Sequence, residues 1–334
     1  MLDSICRHRV RLGRGMNQNS SQSRDIPGQT APSTDISRRR LLKWIAGGVG
    51  TVVVVGATGL ELVNHGVLPG KQLLDRIDGA CSVPATPLSF ETVGPSETGR
   101  FYSEARRRSV GYTIAYPPAH QPGDSLALIV MLHGYGNNHT TSLFGMSPAQ
   151  AVALRVDGAP LSPMAIVTVD GGNGYWNPHP GDDPMSMVVH ELIPFCQRKG
   201  LGIAPHQIGL MGISMGAYGA LAIAERYPGL ASAVAAISPA VWTTYAQAHA
   251  ANEGAFASKS TFVAGNVITH VDSLKGIPLR VASGVDDPFH PGVESLTSVL
   301  PSSSTVVFST GCHTESFFLE QEPPSLAFLS LHLK

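Results

Sequence analysis

Two uninterrupted apolar runs, "LALIVMLHG" from Leu126 and "MAIVTVDGG" from Met164, restrict the possible folds of this chain more than any other feature. Neither alternates polar with apolar residues, so each fits a strand covered on both faces, and such strands belong to parallel sheets with helical crossovers. The preceding "SVGYTIAYP" instead alternates Val110, Tyr112, Ile114 and Tyr116, as a half-buried strand does. Further short runs follow at "SAVAAIS", "PLRVASG" and "TVVFSTG". Between them, Met185, Val188, Val189, Leu192 and Cys196 recur at helical spacing behind Pro184, a residue suited to a first helical turn. Strands alternating with helices predict one α/β domain over residues 89–334, a doubly wound, mostly parallel sheet without internal repeats. About 35 residues separate "AISPAVW" from "PLRV", too few for a large cap, so an open site is expected.

Composition is compatible with this. With 334 residues, 43% hydrophobic and 14% charged, the chain can bury a full-sized core, which excludes disorder throughout. The net charge of -1 conceals an asymmetry. Residues 1–43 carry +6 and the remainder -7, so the basic charge belongs to the N-terminus rather than to a nucleic-acid-binding face.

That N-terminus divides in three. Residues 1–36 are polar, rich in Ser, Gln and Arg, and read as disordered. Residues 37–63 contain Ser37, Arg38, Arg39, Arg40, Leu41, Leu42 and Lys43 followed by an uncharged stretch from Trp44 to Leu60, which resembles a twin-arginine export signal. Seventeen helical residues span roughly 25 Å, slightly less than a ~30 Å hydrocarbon core, so the segment reads as a cleaved signal or a marginal anchor. No A-x-A cleavage site follows closely, which favours an anchor with the positive end inside. Residues 64–88 read as a linker. "DGACS" around Cys81 places Asp78 where a lipoprotein box needs an aliphatic residue, so lipidation is discounted. An exported body would hold Cys81, Cys196 and Cys312, of which one pair can form. The CxxC spacing of a structural zinc site is absent.

The chemistry concentrates in "LMGISMGAYGALAIAERYP", Leu210 to Pro228. Here Gly212, Ile213, Ser214, Met215 and Gly216 spell GxSxG between an apolar strand and a helix, a turn that lifts a serine hydroxyl above the sheet near free helical N–H groups. A nucleophilic serine needs a base. Of thirteen histidines, His313 in "STGCHTESFF" directly follows the final strand, at the carboxyl edge where open α/β sheets bind ligands, while His332 reads as a surface residue. An acid should end the preceding strand, where "LRVASGVDDPFHP" offers Asp286 and Asp287, one of which reads as a turn or capping residue. Glu294 is the next candidate. Oxyanion donors are expected from the main chain of Tyr135, in "VMLHGYGNN", and of Met215, with His133 structural. Gly134, Trp176 and Trp242 are candidate substrate contacts, and Tyr175 a further one. His179, Asp182 and Asp183 in "NPHPGDDP" read as a loop and helix cap rather than a metal site, so no metal and no cofactor is expected.

The segment from about Thr113 to Phe318 resembles an esterase family that includes esterase D, feruloyl esterases and the mycolyltransferases, within the α/β-hydrolase superfamily. The likeness lies in "LHGYG", "DGGNGYW", "ELIP", "GISMGAYGA", "GVDDPF" and "GCHTESFF". It implies an α/β-hydrolase fold without a large cap, Ser214 as nucleophile, Asp287 as acid and His313 as base. The family pattern places the acid three residues after a glycine, which from Gly284 is Asp287, and Pro288 biases that residue toward extended backbone. The resemblance thus implies a serine carboxylesterase acting on small-molecule or lipid esters, and the arginine-led N-terminal segment makes export expected, with the twin-arginine machinery and a membrane as its other contacts. Cytosolic S-formylglutathione hydrolases carry no export signal, and mycolyltransferases generally use a glutamate, which argues against those two activities. The alternatives are acyl transfer to a sugar or lipid alcohol, and a catalytically inactive envelope-anchored binding protein.

Overall fold

The structure, a computed structural model, describes residues 81–84 and 87–333. The basic tail, the twin-arginine segment and most of the linker lie outside the described residues. Among the described residues, no helix is long and apolar enough to cross a membrane.

In chain order the strands are β1 (Ser89–Phe90), β2 (Ser96–Ser103), β3 (Arg108–Ala115), β4 (Ala127–Leu132), β5 (Leu154–Val156), β6 (Ala159–Pro160), β7 (Met164–Val169), β8 (Ile208–Ile213), β9 (Ala233–Ile237), β10 (Leu279–Gly284) and β11 (Thr305–Ser309). Eight form the main sheet in the order β11-β10-β9-β8-β4-β7-β3-β2. From β7 to β11 the neighbours are parallel, whereas β2–β3 and β3–β7 are antiparallel. The expected mostly parallel, doubly wound sheet is therefore present, with an antiparallel margin at the alternating segment. β4, β7, β8, β9 and β10 are buried along their whole length, as uninterrupted apolar runs require. β1, β5 and β6 make a separate three-stranded patch.

Helices cover both faces. Met215–Arg226, buried from Met215 to Ala224, packs on β8 and β9 from one side, and Glu315–His332 from the other. The apolar pattern around Met185–Cys196 is helical as expected, but its middle, Met187–Leu192, is wound as a π-helix between two short α-helical turns. Asp183 caps its start by accepting from Ser186 N at 2.8 Å, and Asp182 pairs with Arg106 and Arg108. Between β9 and β10 lie only the helices Tyr245–Ala251 and Lys259–Ala264 and a 3-10 turn, so no large cap is present there.

Cys81 and Cys312 form a disulfide across 231 residues, and Cys196 is a buried free thiol. Closing so long a loop removes denatured-state entropy equivalent to about 5 kcal/mol in the chain-entropy picture. Val83, Leu88 and Phe90 pack on the same apolar cluster as Phe317 and Phe318. The stretch behind Cys81 is thus part of the folded body, although composition made it a linker.

Candidate functional site

The site forms at the carboxyl ends of the parallel strands, where the β8 turn delivers Ser214 at φ 57° and ψ -117°. This left-handed conformation costs a non-glycine residue on the order of 1–3 kcal/mol and persists only where the surroundings impose it. Two close approaches impose it. A Cβ on Gly212 would lie 2.1 Å from the Gly216 carbonyl oxygen, and one on Gly216 would lie 1.9 Å from the Leu132 oxygen and 2.8 Å from the His133 oxygen. Both glycines of GxSxG are therefore required by space, because backbone passes where a side chain would stand. Ser214 N donates to Ile237 O at 2.9 Å, fastening the turn to β9.

His313 sits on the link between β11 and the helix Glu315–His332. Its Nε2 lies 2.8 Å from Ser214 Oγ and its Nδ1 2.8 Å from Asp287 Oδ2. The Asp287 side chain is wholly buried, and its other oxygen accepts from Phe289 N at 2.8 Å. A carboxylate only accepts, so the proton lies on Nδ1 and Nε2 faces the serine hydroxyl as acceptor. The rings of Phe289 and Phe318 approach the imidazole at 4.9 Å each. Asp286, half-buried on the same turn, donates its backbone N–H to Gly311 O at 3.0 Å. Glu294 instead lies 3.5 Å from His290, away from this contact chain.

The loop after β4 runs beside the serine: a Cβ on Gly134 would be 3.7 Å from Ser214 Cβ. Among the described residues, no acceptor is bonded to Tyr135 N, and Met215 N opens a helix, where the first amides have no intrahelical partner. The loop is held from below. His133 Nε2 accepts from Gly171 N at 2.9 Å while Nδ1 donates to Gly134 O at 2.8 Å. Burial pushes the His133 pKa down, and with both nitrogens engaged it is a neutral strut. Asn173 Oδ1 accepts from Gly136 N at 2.8 Å, and Asp170 accepts from His139 N and Gly111 N.

A cavity of about 530 Å³ opens over the serine, lined by Gly134, Tyr135, Asn137, Phe144, Ser214, His313, Thr314, Glu315 and Phe318. Gly134 lines it as expected. Trp176 does not: it is 0% exposed, donates its indole N–H to His133 O at 3.2 Å, and fills slots left by Gly171 and Gly219. Left-handed backbone at both Tyr175 and Trp176 accompanies this inward turn. Trp242 is also absent from the lining and packs instead on Tyr175, Phe256 and Phe289, one layer behind His313. The apolar wall is Phe144 and Phe318, with ring centroids 5.2 Å apart. Phe144 has no motif around it in the sequence. Phe318 stands inside "GCHTESFF", five residues after His313, so its nearness in the chain is the one signal the sequence carried.

Phe144 is fixed by Glu322, which is 0% exposed and accepts Phe144 N at 2.8 Å through Oε1, while Oε2 is buried without a hydrogen-bond partner. Burial drives this carboxyl well above the ordinary range and favours its protonated form.

Compared with known proteins, the chain matches the family model described as "Putative esterase" over residues 103–291, more than half of its length. No curated protein sequence matches it. Its fold is similar to a ferulic acid esterase (TM-score 0.61, 17% identity, covering 73% of this chain and 100% of that one). It is also similar to FphF, a fluorophosphonate-binding serine hydrolase of Staphylococcus aureus (0.56, 15%, 71% and 99%). A third similar structure is an S-formylglutathione hydrolase from Agrobacterium tumefaciens (0.55, 15%, 75% and 100%).

The close approaches make Gly216→Ala a folding defect: the obstructing atoms are main chain and cannot rotate away, so about 3 kcal/mol or more of stability should be lost. Chemical denaturation of the variant against the parent measures it, and an unchanged midpoint would disprove the packing argument. Glu322→Gln tests the buried acid. Between the ordinary carboxylate range and its raised folded value, the folded state binds more protons than the unfolded state, so stability falls as pH rises. The neutral amide lacks that slope. The variant should gain on the parent in urea midpoint from pH 4.5 to pH 8, and parallel pH profiles would contradict a protonated Glu322.

Proposed function

Because the chain belongs to the "Putative esterase" family, a family of carboxylic ester hydrolases, we propose that it works as a serine esterase through Ser214, His313 and Asp287. One observation carries this reading: the three side chains form a single hydrogen-bonded chain with both links at 2.8 Å. In the proposed reaction His313 Nε2 takes the Ser214 proton as Oγ attacks the ester carbonyl, and Asp287 stabilises the imidazolium. The amides of Tyr135 and Met215 receive the negative charge that develops on the carbonyl oxygen. His313 then returns the proton to the departing alcohol, leaving an acyl-serine. Water, activated by the same imidazole, releases the acid.

The substrate class follows from the lining. Phe144 and Phe318 offer an apolar wall beside the serine, and no Lys or Arg lines the cavity, whereas Glu315 stands at its edge. Such a mouth suits an uncharged ester with a short or aromatic acyl group and disfavours anionic substrates. A serine already bonded to its base speaks against a binding protein without activity. Acyl transfer to a sugar or lipid alcohol uses the same acyl-serine and is the second outcome of the assay below. We further propose that the arginine pair directs twin-arginine export to the cell envelope; the Cys81–Cys312 disulfide supports this, since such bonds persist in oxidising compartments.

Purified protein should turn over short p-nitrophenyl esters and be labelled at Ser214 by an organophosphonate. Ser214→Ala should abolish both. Asp287→Asn should lower kcat by about 10⁴, as in the Ser-His-Asp template, and Asp286→Asn by less than about tenfold. A p-nitrophenyl ester with a terminal carboxylate on its acyl chain should react more slowly than its neutral counterpart. Product analysis with added alcohols separates hydrolysis from transfer, and absence of both turnover and labelling would remove the enzyme reading.

For export, Arg38→Lys combined with Arg39→Lys should retain the protein in the cytoplasm. Fractionation that finds the double variant still outside would overturn the assignment.

A further inference from the structure

Cys312 immediately precedes His313, and its disulfide partner Cys81 enters from the far end of the described chain. We propose that the Cys81–Cys312 bond is a positioning element for His313, so that the esterase site is competent when oxidised and impaired when reduced; this rests on the role assigned to His313 above.

The need for such an element lies in how the imidazole is delivered. β11 is an edge strand paired only with β10, and Val306 and Phe308 on it are 39% and 41% exposed. From its end, the five residues Thr310 to Thr314 lead to the helix Glu315–His332. Three main-chain bonds hold this link: Gly311 O accepts from Asp286 N, Cys312 O from Thr314 N at 2.9 Å, and Thr314 O from Phe318 N at 3.0 Å. Gly311 has φ 148°, a conformation that L side chains rarely adopt. Ser214 and Asp287, by contrast, leave strands buried on both faces.

The disulfide adds a covalent fixture at the residue before the imidazole. Its other end is itself secured, because Val83, Leu88 and Phe90 pack on the cluster containing Phe317 and Phe318, and Phe90 pairs with Leu154 in the small sheet. Cys312 is 2% exposed and Cys81 is half-buried, so Cys81 is the more accessible sulfur. Reduction by a dithiol is balanced: two electrons and two protons pass to Cys81 and Cys312, left as thiols, while the dithiol closes to a cyclic disulfide. Cys196 does not interfere, since burial pushes its thiol up to about 12.

The full-length protein, treated with dithiothreitol and then alkylated, is peptide-mapped to score Cys81 and Cys312. It is assayed on a p-nitrophenyl ester while circular dichroism follows the fold. The expected result is a fall in kcat of at least tenfold with KM within about twofold, at unchanged circular dichroism. Oxidised glutathione should restore kcat. Cys81→Ser with Cys312→Ser should match the reduced protein and ignore dithiothreitol. If the mapped thiols are reduced while kcat stays in place, or if kcat and KM change together, the bond is merely structural and the proposal fails. Alkylation of both cysteines without reductant would overturn it as well. An oxidised protein with no turnover at all would instead strike the proposed function.

Discussion

The site depends on one contact between two pieces of main chain, where the helix that begins after Ser214 passes under the end of β4 at Gly216. The Leu132 oxygen occupies the position that a Cβ would take, and the reciprocal contact of Gly212 with the Gly216 carbonyl closes the turn from the other side. Ser214 is left with the left-handed conformation that these constraints allow. The same crossing brings Gly134 and Tyr135 beside the hydroxyl. Nucleophile and proposed oxyanion donors are therefore set by one backbone geometry rather than by separate loops.

Around that crossing the protein uses rigid, neutral or fully paired groups. His133 joins the β4 loop to Gly171, Trp176 fills the space between Gly171 and Gly219, and Asn173 holds Gly136. Arg106, 3% exposed, ties the Asp170 carbonyl to Asp182 through a buried guanidinium. Asp182 is partly exposed and also pairs with Arg108, so the buried guanidinium is the member that depends on the contact. The residues nearest the hydroxyl can then be few, since the layer beneath them does not yield.

How much of this was legible in the sequence depended on whether the information was local. The five buried parallel strands are short apolar runs and could be read directly, as could GxSxG, whose glycines report a backbone crossing. The residues alone left Asp286 and Asp287 open, the family resemblance pointed to Asp287, and the structure puts Asp287 against the imidazole. Trp176 lies in the core rather than in the lining, because the two left-handed residues that turn it inward leave no pattern in the sequence. Phe144 and its support from Glu322 span 178 residues and carry no periodic signal. The partner of Cys312 was equally hidden, since three cysteines permit three pairings and only the packing of Val83 and Leu88 brings Cys81 to the site.

Two buried carboxyl groups near the cavity, Asp287 and Glu322, meet different surroundings. Asp287 has a donor at each oxygen, Phe289 N and His313 Nδ1, so its charge is met on both sides. Glu322 has one donor, Phe144 N, and a second oxygen with no partner, so burial favours its protonated form. In the proposed mechanism, a second negative charge there would compete with Asp287 for the charge on His313. A carboxyl that favours its protonated form can brace the apolar wall through a hydrogen bond without that competition. The contrast follows from the number of donors each acid meets, and it allows polar bracing and an undivided electrostatic field to coexist in one small volume.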